Sequence, residues 1–309
     1  MLPLLLATAL QSAPLPAVTL RHGPAPEAVG LSHDDESSPE GPGSLAVDAD
    51  GRLWVLDAVK RRVAVLGKDG ALEASIPLPS DTIEDLALLP TGELALLDRQ
   101  VARTVYIVAE NGAVLATAAV EGPGVSDGGE VTALLADEAG VWLEVLHGAQ
   151  VRALDAGLRP DQARATRVGL PVRGRDAKEA RFLRLRKVGD HAQVLLFDAA
   201  GTLREDSAVA FSSLLELSGL VVGGETLWIA GHELVQAAPG ARPTRDAIVV
   251  VRLERSKDGR YAERGRTSMK ASPEFVPLKQ LVASTHGVAH LFVDTTAPRG
   301  ATAVEVQSW

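Results

Sequence analysis

The side chains best able to do chemistry in this chain of 309 residues are a few histidines, carboxylates and hydroxyls at recurring positions. His286 and His290 lie four residues apart. On an extended strand that spacing puts both on one face, which supplies two of the three protein ligands of a catalytic zinc site. His147, His191 and His232 sit near the ends of short apolar runs, where a solvated histidine is the ordinary reading. The run His33-Asp34-Asp35-Glu36 presents oxygens suited to calcium, but it lacks the fixed spacing and glycine of a calcium loop. Glu84, Asp85 and Glu130 are further carboxylates near apolar runs, available to a metal-assisted hydrolase or lyase. The chain has no cysteine, which removes disulfides, thiolate zinc sites and cysteine nucleophiles. It contains no Gly-rich phosphate loop, nucleophile elbow or metalloprotease helix.

Composition sets the frame for these groups. With 46% apolar and 23% charged residues, the chain is that of a folded globular protein with a sizeable core. The formal net charge is −9, and it is unevenly spread. Residues 1–158 carry 9 basic and 23 acidic side chains, whereas residues 159–309 carry 22 and 17. The stretch Arg159–Lys187 alone has 10 basic and 3 acidic residues. A negative total with no nucleic-acid motif beside the basic segments excludes nucleic acid as the expected partner. Leu2–Leu10 followed by Ser12 and Ala13 reads as a secretory signal over residues 1–13, which places the protein in the periplasm or outside the cell. No later stretch has the length of uninterrupted apolar sequence that a membrane span requires.

The elements that must position any site are repeated. GRLWVLD from Gly51, GELALLD from Gly92, GVWLEVL from Gly140, DHAQVLLFD from Asp190, GETLWIA from Gly224 and GVAHLFVD from Gly287 are six copies of a turn followed by a short apolar strand. Their starts are 41, 48, 50, 34 and 63 residues apart, a spacing that fits one four-stranded unit per copy. The first unit reads as Ser44–Asp48, Gly51–Asp57, Arg62–Leu66 and Ala71–Leu78, and the second repeats the plan with Asn111-Gly112 as a hairpin turn. Later units run over about 121–172, 175–212, 213–271 and 273–309. The fourth looks short of one strand, and the sixth supplies only three. Ala17–Arg21 is expected to complete the sixth and close the ring, followed by an acidic linker up to residue 43.

The sequence therefore resembles a six-bladed, all-β propeller of the NHL-repeat type, occupying residues 44–309. An Asp ending the second strand and an Arg five residues later carry the resemblance: Asp57 and Arg62, Asp98 and Arg103, Asp294 and Arg299. Each pair is expected to face across a hairpin and pin its register. Trp54, Trp142 and Trp228 occupy one repeat position, with Ala95 and His290 in register, and are expected to fill space between blades.

The innermost strands of such a ring line a central channel. Aligning the units brings Ser44, Asp85, Thr132, Arg184, Ser218 and Gln280 to one depth, and these six are the candidate binding residues. No catalytic constellation accompanies them. Two functions follow. The first is a non-enzymatic binding propeller that recognises a protein or glycan partner through its loops and channel mouth. The second is a lactonase- or arylesterase-like metal-dependent enzyme with calcium in the channel. Asn111, the only asparagine, is in a hairpin turn and so weakens that analogy.

Overall fold

The structure, a computed structural model, describes residues 17–32, 38–172, 181–223, 226–235, 244–256, 260–272, 277–284 and 287–309. Six antiparallel sheets of four strands each form the blades of a β-propeller. Blade 1 comprises Ser44–Val47, Leu53–Asp57, Arg62–Leu66 and Leu72–Pro77 from the channel outward. Blade 2 repeats it with Asp85–Leu88, Leu94–Asp98, Thr104–Val108 and Val114–Ala119. Blade 3 uses Val131–Asp137, Gly140–Val145, Ala149–Asp155 and the two residues Thr166–Arg167. Blade 4 uses Leu170–Val172, Arg181–Val188, His191–Asp198 and Leu203–Ala210. Blade 5 has Leu214–Gly223, Thr226–Val235, Thr244–Arg255 and Tyr261–Lys270.

Blade 6 is closed by the N-terminal strand. Leu281–Ser284, Gly287–Val293 and Thr302–Ser308 are followed at the outer edge by Val18–Arg21. Val18 pairs with Val306 and Leu20 with Val304, and both Val18 and Leu20 are buried. The sheet edge that Thr302–Ser308 would otherwise expose is thereby covered. Residues 22–32, read from sequence as part of a linker, are fastened to blade 1. Arg62 Nη1 and Nη2 donate to the carbonyls of Pro26 and Ala28 at 2.5 and 2.6 Å, and Lys60 Nζ donates to those of Ala25 and Ala28.

Each blade packs on the next through the alternating faces of its strands. Leu53, Val55, Ala64 and Leu66 meet blade 6, while Trp54, Leu56, Val63 and Val65 meet blade 2. Trp54 and Trp228 fill such seams. Trp142 is buried under the Arg167 guanidinium, whose carbon lies 3.9 Å from the ring centroid. His290 departs from this register. It shares a face with Val288, toward blade 5, whereas Ala289 and Leu291 face blade 1. The repeat alignment is thus offset by one residue in blade 6, and an offset of one reverses the direction of a strand side chain. His286, the proposed companion of His290, lies outside the described residues.

The expected Asp–Arg pairs form once. Asp57 and Arg62 are cross-strand partners, and Arg62 Nε and Nη2 both lie 3.2 Å from Asp57 Oδ2. Asp57 Oδ1 accepts from Gly30 N–H, so the pair also anchors the N-terminal segment. In blade 2 the hairpin is one residue longer. Asp98 faces Thr104, and Arg103 falls in the turn with φ 51° and pairs with Glu121. Asp98 instead accepts hydroxyl and backbone donors, including Ser80 at 2.8 Å. In blade 6 the second strand ends at Val293, so Asp294 lies beyond it and bonds Thr296, not Arg299.

The seam between blades 5 and 6 holds His290, fully buried, with neither ring nitrogen hydrogen-bonded. Burial, and secondarily the neighbouring His232, push its pKa from an ordinary 6.5 down to about 4. A depressed histidine pKa means that the unfolded chain takes up the proton first. Stability from this residue is complete above pH 6.5 and is lost as pH falls toward 4, about 3 kcal/mol in all. Urea unfolding of the native protein and His290→Leu at neutral and acid pH measures this. The wild type is expected to lose more stability on acidification than the variant by about 2–3 kcal/mol; equal losses would contradict it.

Candidate functional site at the channel mouth

The inner strands of blades 1 and 2 begin with Ser44 and Asp85, both fully buried at the channel wall. Asp85 Oδ1 accepts from Ser44 Oγ at 2.6 Å and from Leu86 N–H at 2.8 Å. Its Oδ2 accepts from Leu134 N–H, in blade 3, at 2.7 Å. Lys279, just before the inner strand of blade 6, places Nζ 3.0 Å from Asp85 Oδ1. The same ammonium donates to the carbonyls of Leu86 and Leu134 at 2.5 and 2.7 Å. One buried carboxylate and one ammonium thus join blades 1, 2, 3 and 6. Both charges are compensated by each other and by backbone dipoles, as burial of an ion pair requires.

This arrangement decides what Asp85 can do. Its two oxygens already serve four donors, one of them a cation. The carboxylates grouped with it in the sequence reading are separately engaged. Glu84 pairs with Arg99 at 2.8 Å, and Glu130 accepts from the Ser126 hydroxyl at 2.9 Å. Lys279 was missed by the sequence reading, which put Gln280 in the channel ring, where it lines the cavity. The bridge partner of Ser44 is Lys279. A lone lysine between Leu278 and Leu281 was the available signal. Gln280 is buried one residue further on, and its carbonyl accepts from Leu291 N–H at 2.8 Å.

Beyond this joint the channel opens into a cavity of about 600 Å³, lined by Thr132, Arg184 and Gln280 among others. Thr132 Oγ1 donates to Glu144 Oε2 at 2.8 Å and accepts from His147 N–H at 3.2 Å. His147 Nδ1 lies 3.6 Å from the same Glu144 oxygen. The hydrogen bond with Glu144 is the main cause that raises the His147 pKa. Leu146 and His147 form the hairpin turn with φ 50° and 54°. Left-handed backbone at two successive residues with side chains costs about 1–2 kcal/mol each.

Arg184 reaches the cavity by a different route from the one expected. The sequence reading put it on the innermost strand of blade 4. It lies on the second strand, because Leu170–Val172 occupies the inner position. That inner strand pairs only with Arg181–Leu183. From Arg184 onward the second strand has no inner neighbour, so Arg184, Leu185 and Lys187 line the cavity directly. Gly148 makes room for the guanidinium, since a Cβ there would lie 2.8 Å from Arg184 Nη2. Ser218 lies on the inner strand of blade 5 where the pairing is irregular, and its side chain lies outside the described residues. Among the described residues, no group of three or more metal-ligating side chains comes together.

The closed ring and its lined channel define the chain as a six-bladed β-propeller. Solved structures agree on the fold. A member of the duf4221 family from Bacteroides vulgatus shares 10% identity, with 96% of this chain and 97% of that one covered and a TM-score of 0.55. Kuenenia stuttgartiensis hydrazine synthase shares 12% identity over 84% of this chain and 79% of that one, with a TM-score of 0.52. U3-55K shares 12% identity over 92% and 99%, with a TM-score of 0.50. At these identities the likeness is one of fold. No protein-family model and no curated protein matches the sequence.

The Asp85 joint makes a direct prediction. Asp85→Ala removes the counter-charge of the buried Lys279 ammonium and the acceptor of the Leu134 amide, and leaves the Leu86 amide only Ser44 Oγ at 3.3 Å. Urea denaturation is expected to show a loss of about 3–5 kcal/mol. Adding Lys279→Met to Asp85→Ala should restore part of it, because the stranded charge is then gone. A loss under about 1 kcal/mol for Asp85→Ala would show that the joint is dispensable.

Proposed function

We propose that this chain is a non-enzymatic binding propeller, exported from the cell that makes it, which takes a protein or glycan partner on its loops and channel mouth. The observation that carries this reading is the division of charge along the channel. Asp85 and Lys279 are consumed in joining blades. Arg184 and Lys187 stand at the open mouth with no carboxylate partner among the described residues. A cation with no partner within the chain, held on a rigid scaffold, is free to meet an anionic group of a binding partner. The apolar run Leu2–Leu10 supports export, and the Asp57–Arg62 pair supports a relation to NHL-type repeats. No helix among the described residues is long and apolar enough to cross a membrane.

One observation favours the enzymatic reading. Thr132, Glu144 and His147 form a connected group at the mouth, and a histidine oriented by a carboxylate can act as a general base. Calcium there would draw on Glu144, a carboxylate of the cavity lining, since Asp85 is already engaged.

The two readings part in one pair of measurements. The native protein and Arg184→Glu are applied to a printed panel of glycans and proteins, and melting is followed with calcium, zinc and chelator. Ligands retained by the native chain and lost by Arg184→Glu are expected, with melting unmoved by metal. A rise in melting temperature with calcium, joined to ester or lactone hydrolysis that Glu144→Gln abolishes, would overturn the binding reading in favour of the enzyme.

A further inference from the structure

The chemistry of the mouth narrows the ligand. Arg184 and Lys187 reach the cavity because blade 4 has only three residues of inner strand. Neither has a carboxylate partner among the described residues, whereas the other cations there are paired. Lys279 is held by Asp85 and Arg167 by Asp137 at 2.5 Å. Arg184 therefore offers its planar fork, and Lys187 a point charge, to something that is not part of the ring.

The surroundings of those two cations are apolar. Leu135, Leu170, Leu185 and Leu217 are half-buried along the cavity wall. Leu146, Val188 and Leu215 are 69%, 47% and 37% exposed. They lie at strand ends of blades 3, 4 and 5 which the antiparallel order brings to the same ring face as Thr132. Single exposed apolar residues need no explanation, but three from consecutive blades on the ring face that carries Thr132 add apolar surface on the cavity's side of the ring. Among the described residues the cavity lining is aliphatic rather than aromatic, which suits a hydrocarbon chain better than the stacking of a sugar ring. The volume, about 600 Å³, lies within the usual range of small-molecule pockets. Glu144 on the same mouth opposes multiply charged anions.

We infer that the channel mouth binds an aliphatic carboxylate, with its carboxylate on Arg184 and Lys187 and its hydrocarbon portion along the leucine-lined wall. This rests on the non-enzymatic binding reading above and goes beyond its protein or glycan partner, to a small ligand held at the same mouth. The charge selects a singly ionised head group through a fork-to-carboxylate contact. The apolar wall supplies most of the affinity by removing hydrocarbon from water.

Calorimetric titration of the full chain with decanoate, decanol and acetate tests this. Decanoate is expected to bind saturably, one per chain. Decanol should bind about tenfold more weakly, because it lacks the ionised head. Acetate, without the hydrocarbon, should show no saturable binding. The double variant Arg184→Gln/Lys187→Gln changes two exposed side chains and should weaken decanoate about tenfold while leaving decanol unchanged. Gly148→Ala displaces the guanidinium without removing it and should weaken decanoate alone. Equal binding of decanoate and decanol, unchanged decanoate affinity in the double variant, or no decanoate binding would each overturn the assignment. If decanoate fails while Arg184-dependent ligands persist on the panel, the carboxylate assignment falls and the binding reading stands. If both fail, the binding reading falls with it.

Discussion

The carboxylate of Asp85 is the contact on which the centre of the ring depends. A propeller has few covalent links between neighbouring blades, only the chain passing from one to the next, and its inner strands are short. Four-residue strands such as Ser44–Val47 and Asp85–Leu88 expose polar backbone to the channel. Unpaired buried amides are costly. Asp85 answers this by accepting the amides of Leu86 and Leu134, and Lys279 answers it by donating to the carbonyls of the same two residues. The hydrophobic seams supply most of the stability, but they are non-directional. The Asp85–Lys279 joint fixes how the inner strands of blades 1, 2, 3 and 6 stand relative to one another.

The joint also explains the asymmetry of the channel. It spans four blades and leaves blades 4 and 5 outside it. Blade 4 is where the inner strand shrinks to Leu170–Val172, and where the second strand is bared from Arg184 onward. Four of the six blades are therefore tied together by their own charges, while blade 4 widens the channel into the cavity. The same asymmetry separates structural from recognising charges. A carboxylate surrounded by amides and an ammonium has no capacity left, whereas Arg184 on a bared strand has all of it.

The fold was legible because its signal is local and repeated. Gly51, Gly92, Gly140 and Gly287 all take positive φ, and each opens a strand whose apolar residues face both seams. The N-terminal closing strand was legible by subtraction, since the last unit lacked one. The site was legible only in part. Ser44 and Asp85 could be aligned, and they are bonded. Lys279 was missed, because a parallel bridge between distant strands leaves no mark in the repeat. Arg184 reached the cavity through a truncated strand, Leu170–Val172, whose three residues are too few to show periodicity. The Asp–Arg pattern misled in blade 2 through a single extra residue in the hairpin, which moved Arg103 out of the ladder.

Native-state amide exchange at Leu86 and Leu134 tests the central role of the joint most directly. Both amides donate to one buried carboxylate, that of Leu86 also to Ser44 Oγ at 3.3 Å, rather than to a backbone carbonyl of a neighbouring strand. If Asp85 holds the ring together, they open only when the whole domain does. Their protection should then equal that of the fully buried strand residues Val55 and Leu96. Exchange at Leu86 and Leu134 that is orders of magnitude faster than at Val55 and Leu96 would contradict the account. It would mean that the channel joint opens while the blades remain folded.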